Sequence, residues 1–108
     1  MANKAVIEPI RTLGFAGISG TYAKVGTPFE YKVRVICISN NTEGDLHFTT
    51  DELEDQLFIA AGSYKLFDIQ ANKNNVTDND FVLPIGTQFF VKQITAPVSG
   101  AVYIEVIH

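Results

Sequence analysis

Short stretches in which apolar and polar residues alternate fill almost the whole of this 108-residue chain, and turns rich in Gly, Asn and Asp separate them. A half-buried strand shows one face to the core and the other to water, so alternation with a period of two predicts β-strands. About eight such stretches with frequent turn signals predict an all-β fold. We expect an antiparallel β-sandwich that is jelly-roll-like, and an immunoglobulin-like strand order stays open.

The length predicts one sandwich domain preceded by a short arm. Residues 16–108 should form a single β-sandwich domain, because no internal repeat divides them. Residues 1–15 should form an N-terminal arm or an edge strand, since Pro9 cannot donate a hydrogen bond to a sheet ladder and therefore favours an edge. The arm is expected to contact partners through its apolar residues, which are Val6, Ile7, Ile10, Leu13 and Phe15.

The longest alternation begins at Phe29 and continues to Ile38, and we interpret it as the central strand. Cys37, the only cysteine, lies within it and is expected to be an inert buried thiol. Residues 39–45 should form the turn that follows, because Ser, Asn, Asp and Gly favour turn geometry. Residues 46–49 and 101–107 are predicted as further strands, and the polar residues 71–80 as the longest and most mobile loop.

The sequence gives no reason to expect catalysis, a cofactor or a metal ion. A nucleophilic triad needs a histidine, and the only histidines are His47 and His108, neither of which has suitable neighbours. His47 with nearby carboxylates could bind a transition metal, but such sites usually need three or four ligands, and we favour an ordinary strand histidine. Calcium bound by Asp78 and Asp80 is also possible, although solvated loops are the simpler interpretation.

Charge and hydropathy narrow the range of partners. The total charge is −4, but residues 1–34 carry five basic and two acidic residues, and residues 35–80 carry two basic and nine acidic residues. No basic cluster suits the phosphate neutralisation that nucleic-acid binding requires. No apolar run approaches the roughly 20 residues of a membrane-spanning helix. Hydrophobic residues make up 46% of the chain, which favours a homo-oligomer or another partner that covers apolar surface.

Turn and strand elements between residues 30 and 108 follow a distinctive order. The succession is ICISNNTEGDLHFT, then FIAAGSYKLFDIQAN, then LPIGTQFFVKQITAPVSGAVYIEV. This succession resembles small virion structural proteins of tailed bacteriophages.

The resemblance implies a non-enzymatic protein of the virion that folds in the host cytoplasm. It would decorate or cement the capsid through contacts with the major capsid protein and with copies of itself. A neck or tail component of the virion is the alternative. A carbohydrate- or receptor-binding β-sandwich that uses Tyr22, Tyr64 or residues 72–80 also stays open.

Overall fold

A computed structural model of the chain describes residues 6–52, 54, 56–68, 83 and 85–108. Within them, eight strands form two four-stranded antiparallel sheets, and the predicted all-β sandwich is confirmed. The strands are β1 Arg11–Gly14, β2 Ala23–Lys24, β3 Val35–Thr42, β4 Leu46–Thr49, β5 Leu57–Ile59, β6 Tyr64–Asp68, β7 Phe90–Gln93 and β8 Gly100–Ile107. A single 3-10 turn, Phe15–Gly17, follows β1. No helix in the described part of the chain is long and apolar enough to cross a bilayer.

The pairing of the strands is nested. β1 pairs with β8, β2 with β7, β3 with β6, and β4 with β5. Two further pairings, β3 with β8 and β4 with β7, join these pairs into sheets of order β1-β8-β3-β6 and β2-β7-β4-β5. The first and last strands of the chain therefore lie side by side, although most of the sequence separates them.

One hydrophobic core fills the space between the two sheets. Alternate residues of β3 and β8 point into it from the first sheet, and residues of β4, β5 and β7 point into it from the second. The most deeply buried of these side chains are Ile36, Ile38, Leu46, Phe48, Ile59, Val91, Val102, Ile104 and Val106. Full burial of an aliphatic or aromatic side chain stabilises a fold by roughly 1.5–3 kcal/mol, so these residues supply the main driving force for closing the sandwich.

The central strand lies further along the chain than the alternation predicts. β3 begins at Val35 and continues to Thr42, so the prediction of a strand from Phe29 to Ile38 is wrong at both ends. Phe29 and Val33 are buried without belonging to a strand. The amide of Phe29 donates to the carbonyl of Thr87, and its ring packs on Phe89 with centroids 5.9 Å apart. Phe29 and Val33 therefore extend the alternation of apolar and polar residues beyond the strand, although they lie in a loop that packs on the core.

The turn predicted at residues 39–45 is shorter in the structure: β3 continues to Thr42, and only residues 43–45 connect it to β4. A buried asparagine explains why the strand extends this far. The Nδ2 group of Asn40 donates to the carbonyls of Gly44 and Ile59, at 2.8 and 2.9 Å. Its Oδ1 accepts from the backbone N–H of Thr42 at 3.1 Å and from the Thr42 hydroxyl at 2.7 Å. Burying an amide is tolerated only when its hydrogen bonds are made, and here all of them are. The network joins the end of β3 to β5 and fixes the tight bend before β4.

Two further predictions concern the burial of Cys37 and the loop at residues 71–80. Cys37 is half-buried on the outer face of the first sheet rather than in the core, because Ile36 and Ile38 take the inward positions of β3. Its Sγ lies 3.8 Å from the Ser39 hydroxyl oxygen. The loop predicted at residues 71–80, with Asp78 and Asp80, lies outside the described residues.

Candidate interaction surface

The N-terminal segment, residues 6–14, forms one edge of the first sheet. β1 pairs with β8 from Arg11 to Gly14, and an isolated bridge joins Ile7 to Ile107 further out. Between these pairings, three residues (8–10) oppose two (105–106), which makes a β-bulge. Pro9 lies in the bulge, where its missing N–H leaves no ladder bond unmade.

The five residues predicted to contact partners are divided between solvent and core. Val6, Ile7, Ile10 and Phe15 are exposed, Ile7 most of all at 79%. Leu13 is half-buried and packs against the hydrophobic core from β1. The segment therefore offers an apolar outer side to solvent while one leucine ties it to the sandwich.

A cluster of charged and aromatic side chains fastens the outer end of this segment. Glu8, whose side chain is only 7% exposed, accepts a hydrogen bond from Arg11 at 2.8 Å and another from Nδ1 of His108. The Arg11 guanidinium also donates to the carbonyl of Thr27 at 2.8 Å. Tyr31 stacks on the ring of His108 with centroids 4.1 Å apart. These contacts hold the first described residues against the C-terminal end of β8.

Electrostatics favour the ionised form of Glu8. Burial by itself raises the pKa of this carboxyl group, but hydrogen bonds from Arg11 and His108, together with their positive charges, outweigh burial and lower the pKa below its usual value of 4.5. Glu8 is thus an anion at neutral pH. It compensates the charge of Arg11 inside a mostly buried site.

A groove of about 500 Å³ runs between the N-terminal segment and the loop that precedes β3. Its lining consists of residues 6–12, residues 26, 27, 30 and 31, and His108. Two of its charged groups, Glu8 and Arg11, are already paired with each other. We therefore interpret the groove as part of the contact between the N-terminal segment and the sandwich, and not as a small-molecule site.

The outer face of the first sheet is apolar over much of its extent. The cross-strand register places Leu66 opposite Cys37, and Tyr64 opposite Ser39, which in turn lies opposite Tyr103. Leu66 is 59% exposed and Tyr64 is 67% exposed. We call this surface the outer face; its apolar members are Ile7, Val35, Cys37, Tyr64, Leu66, Tyr103 and Ile107. Sequence reasoning offered Tyr64 for a carbohydrate- or receptor-binding site but did not place it beside Cys37 and Tyr103, because the register that brings these residues together is a tertiary property.

Two of the described residues on the outer face are acidic. Glu105 lies opposite Cys37, and Asp68 lies opposite Val35. Both belong to the outward-facing set of their strands, because Ile36 and Val106 occupy the inward positions. A surface that presents apolar groups together with a cation near Glu105 would complement this face.

The side chains that could have suggested chemistry are occupied in other ways. The His47 ring lies edge-on to Phe58 with centroids 6.1 Å apart. Asp45 accepts the amide of Ala61 at 2.9 Å, and Asp51 accepts the Thr49 hydroxyl at 2.8 Å, so both carboxylates stabilise turns. Lys92 lies over the ring of Tyr22, 4.7 Å from its centroid. Among the residues that the structure describes, no three His, Cys, Asp or Glu side chains are grouped so that they could hold a metal ion.

Comparisons of the chain with protein-family models, with curated proteins and with solved structures found no match. The chemistry of the surface is therefore the basis for a functional assignment.

Proposed function

We propose that this protein is a non-enzymatic structural component of a bacteriophage particle, which decorates or cements the capsid through the outer face of its first sheet. The observation that carries the proposal is the exposure of Tyr64 and Leu66 beside Cys37 and Tyr103. Soluble monomers rarely expose contiguous apolar surface of this kind, and where they do it usually marks an interaction site.

The small size of the apolar patch suits a protein that attaches in many copies. Complete burial of a side chain such as Leu66 or Tyr64 contributes roughly 1.5–3 kcal/mol, and much of that is lost to the cost of association. A single copy would therefore bind weakly through this face. Many copies that also contact one another gain strength from multivalency, which is how a protein bound to a capsid lattice would work.

The acidic residues of the outer face favour a partner other than the same face of a second copy. If two copies packed face to face about a two-fold axis, both sides of the contact would carry the Glu105 carboxylate. Like charges in such an interface are unfavourable. A different surface with cationic groups, such as that of a major capsid protein, is the better match, and contacts between copies would use other surfaces.

The nested pairing of the strands supports jelly-roll connectivity rather than an immunoglobulin-like order. In a jelly roll, eight strands form two sheets from two interlocked Greek keys, and capsid proteins and lectins both use this architecture. The observed sheet orders, β1-β8-β3-β6 and β2-β7-β4-β5, are compatible with it. Fold by itself does not assign function, so this support is by analogy.

Binding to particles tests the proposal. Particles that lack the chain are purified from the phage that encodes it, mixed with recombinant protein, and sedimented. Wild-type protein should sediment with the particles, and Leu66→Asp should bind at least about tenfold more weakly because it places a charge in the apolar patch. Val98→Ser is the control, since Val98 is an exposed apolar residue that precedes β8 and does not belong to the outer-face set.

The outcomes separate the candidate functions. Equal binding of wild-type protein and Leu66→Asp, with both folded by circular dichroism, would overturn the assignment of the outer face. Failure of wild-type protein to bind particles would overturn the virion function altogether. A low copy number on intact particles would place the protein at the neck or tail instead of on the capsid.

A further inference from the structure

We propose that residues 6–14 exchange between copies of this protein, so that the N-terminal strand of one copy pairs with β8 of its neighbour. The inference rests on the proposed function, because exchange can link copies only where they assemble. It adds to that function a way in which copies are linked. In the assembly, the N-terminal strand that pairs with β8 comes from a second copy.

The strand is attached to its own sandwich mainly by polar contacts. The amide of Val6 donates to the carbonyl of His108 and the amide of His108 to that of Val6, both at 2.9 Å, and the amide of Glu8 donates to the carbonyl of Val106 at 3.0 Å. Of its apolar side chains, only Leu13 packs against the core. Segments with little buried apolar surface open at low free-energy cost.

The site that the strand occupies is selective for this sequence. Arg11 must reach the carbonyl of Thr27 and lie over the ring of Phe29, 4.7 Å from its centroid. Glu8 must meet His108, and the bulge at Pro9 must fit the shorter opposing segment of β8. The strand of a second copy satisfies all these requirements, because exchange of an identical element reproduces every contact.

The connection between strand and sandwich is short and exposed. The 3-10 turn Phe15–Gly17 contains no buried residue, whereas Ile18 is buried and the carbonyl of Ser19 accepts the amide of Gln93 at 2.8 Å. The sandwich is therefore fixed from Ile18 onward. Straightening three residues from a rise of about 2.0 Å each to about 3.3 Å each extends the connection by about 4 Å, which gives the strand room to leave its own β8. Exchange of an identical terminal element between copies needs only such a local change in the connection, because the body of each copy keeps its fold.

A disulfide trap distinguishes an exchanged strand from a retained one. Ala101 lies between Gly14 of β1 and Asn41 of β3 in the register. In a Cys37→Ala background, which removes the native thiol and keeps a small apolar side chain on the outer face, Gly14→Cys with Ala101→Cys links β1 to β8. Asn41→Cys with Ala101→Cys is the matched control, since both of its cysteines lie in the body of the sandwich. Gly14 accepts a side chain, because its backbone is extended (φ −71°, ψ 159°) and a Cβ there would meet no atom within 4 Å.

Both double variants are bound to particles, oxidised, denatured and separated without reductant. Exchange predicts covalent multimers from the Gly14→Cys pair and monomers from the Asn41→Cys pair. If both pairs give monomers while bound to particles, exchange is overturned and the capsid function stands. If neither the variants nor wild-type protein bind particles, the proposed function fails first and exchange fails with it.

Discussion

Glu8 and His108 lie 100 positions apart in the chain, and their side chains share a hydrogen bond in which the imidazole Nδ1 donates to the carboxylate. The nested pairing of strands brings them together, because the first and last strands are neighbours in the same sheet. Arg11 completes the cluster from β1, and Tyr31 covers His108 from the loop before β3. The contact closes the sandwich at the point where the two described ends of the chain meet.

Removing the charge of Glu8 should destabilise the fold. In Glu8→Gln, Arg11 and His108 lose their anionic acceptor in a site where the Glu8 side chain is 7% exposed. We expect the free energy of unfolding in urea to fall by about 1–2 kcal/mol. Glu54→Gln, at an exposed residue between β4 and β5, should change it by less than about 0.5 kcal/mol. Equal effects of the two substitutions would contradict the role given to the cluster.

The contribution of Glu8 should disappear in acid. Its folded pKa lies below the ordinary value of 4.5, so near that pH the unfolded chain binds more protons than the folded chain, and stability rises with pH. The stabilisation is present above about pH 4.5 and is lost as the pH falls through the folded pKa. The difference in unfolding free energy between wild-type protein and Glu8→Gln should therefore shrink from pH 5 to pH 3. A difference that grows towards acid would contradict the assigned direction.

The buried amide of Asn40 should be among the most sensitive positions of the sandwich. Asn40→Ala leaves the carbonyls of Gly44 and Ile59 without their donor and the amide of Thr42 without its acceptor. We expect a loss of roughly 2–4 kcal/mol in denaturant unfolding. The exposed neighbour provides the control, and Asn41→Ala should cost less than about 0.5 kcal/mol. A cost for Asn40→Ala as small as that of Asn41→Ala would rule out the network as a stabilising feature.

Alanine substitutions at two glycines should distinguish the free-energy cost of a left-handed backbone conformation from the cost of steric overlap. Gly62 and Gly100 both have positive φ, at +73° and +88°. A Cβ at Gly62 would meet no atom within 4 Å, whereas one at Gly100 would overlap the carbonyl oxygen of Asn41. Gly62→Ala should therefore cost only the left-handed conformation, about 1–2 kcal/mol. Gly100→Ala should cost at least about 2 kcal/mol more, measured as a lower midpoint in the same denaturant.

The local alternation of apolar and polar residues was sufficient to predict several of the strands. The strand predicted at residues 46–49 matches β4, and the one predicted at residues 101–107 matches all but the first residue of β8. Both have one face against a core, so their side chains alternate in the way that the sequence displays. The start of β3 was missed because Phe29 and Val33 are buried in a loop. Its end was missed because the partners that make Asn40 acceptable inside the sandwich are distant in sequence.

The candidate surface could be predicted only in part. The apolar residues of the N-terminal segment and the edge position favoured by Pro9 follow from residue type alone. The cluster around Glu8 does not, because it joins residues near the two ends of the chain and Tyr31. The outer face likewise depends on the register, which brings Leu66 beside Cys37. Local periodicity gives the face of each strand but not its neighbours.

The reactivity of Cys37 tests the central claim most directly. Its thiol is the only one in the chain, and it lies half-buried on the outer face beside Leu66. The rate of alkylation by a small thiol reagent is measured by mass spectrometry for the free protein and for protein bound to particles. We predict that the free protein is modified and that binding slows the modification at least about tenfold, because the partner covers the outer face. Equal rates in the two states would contradict the claim that this face is the attachment surface.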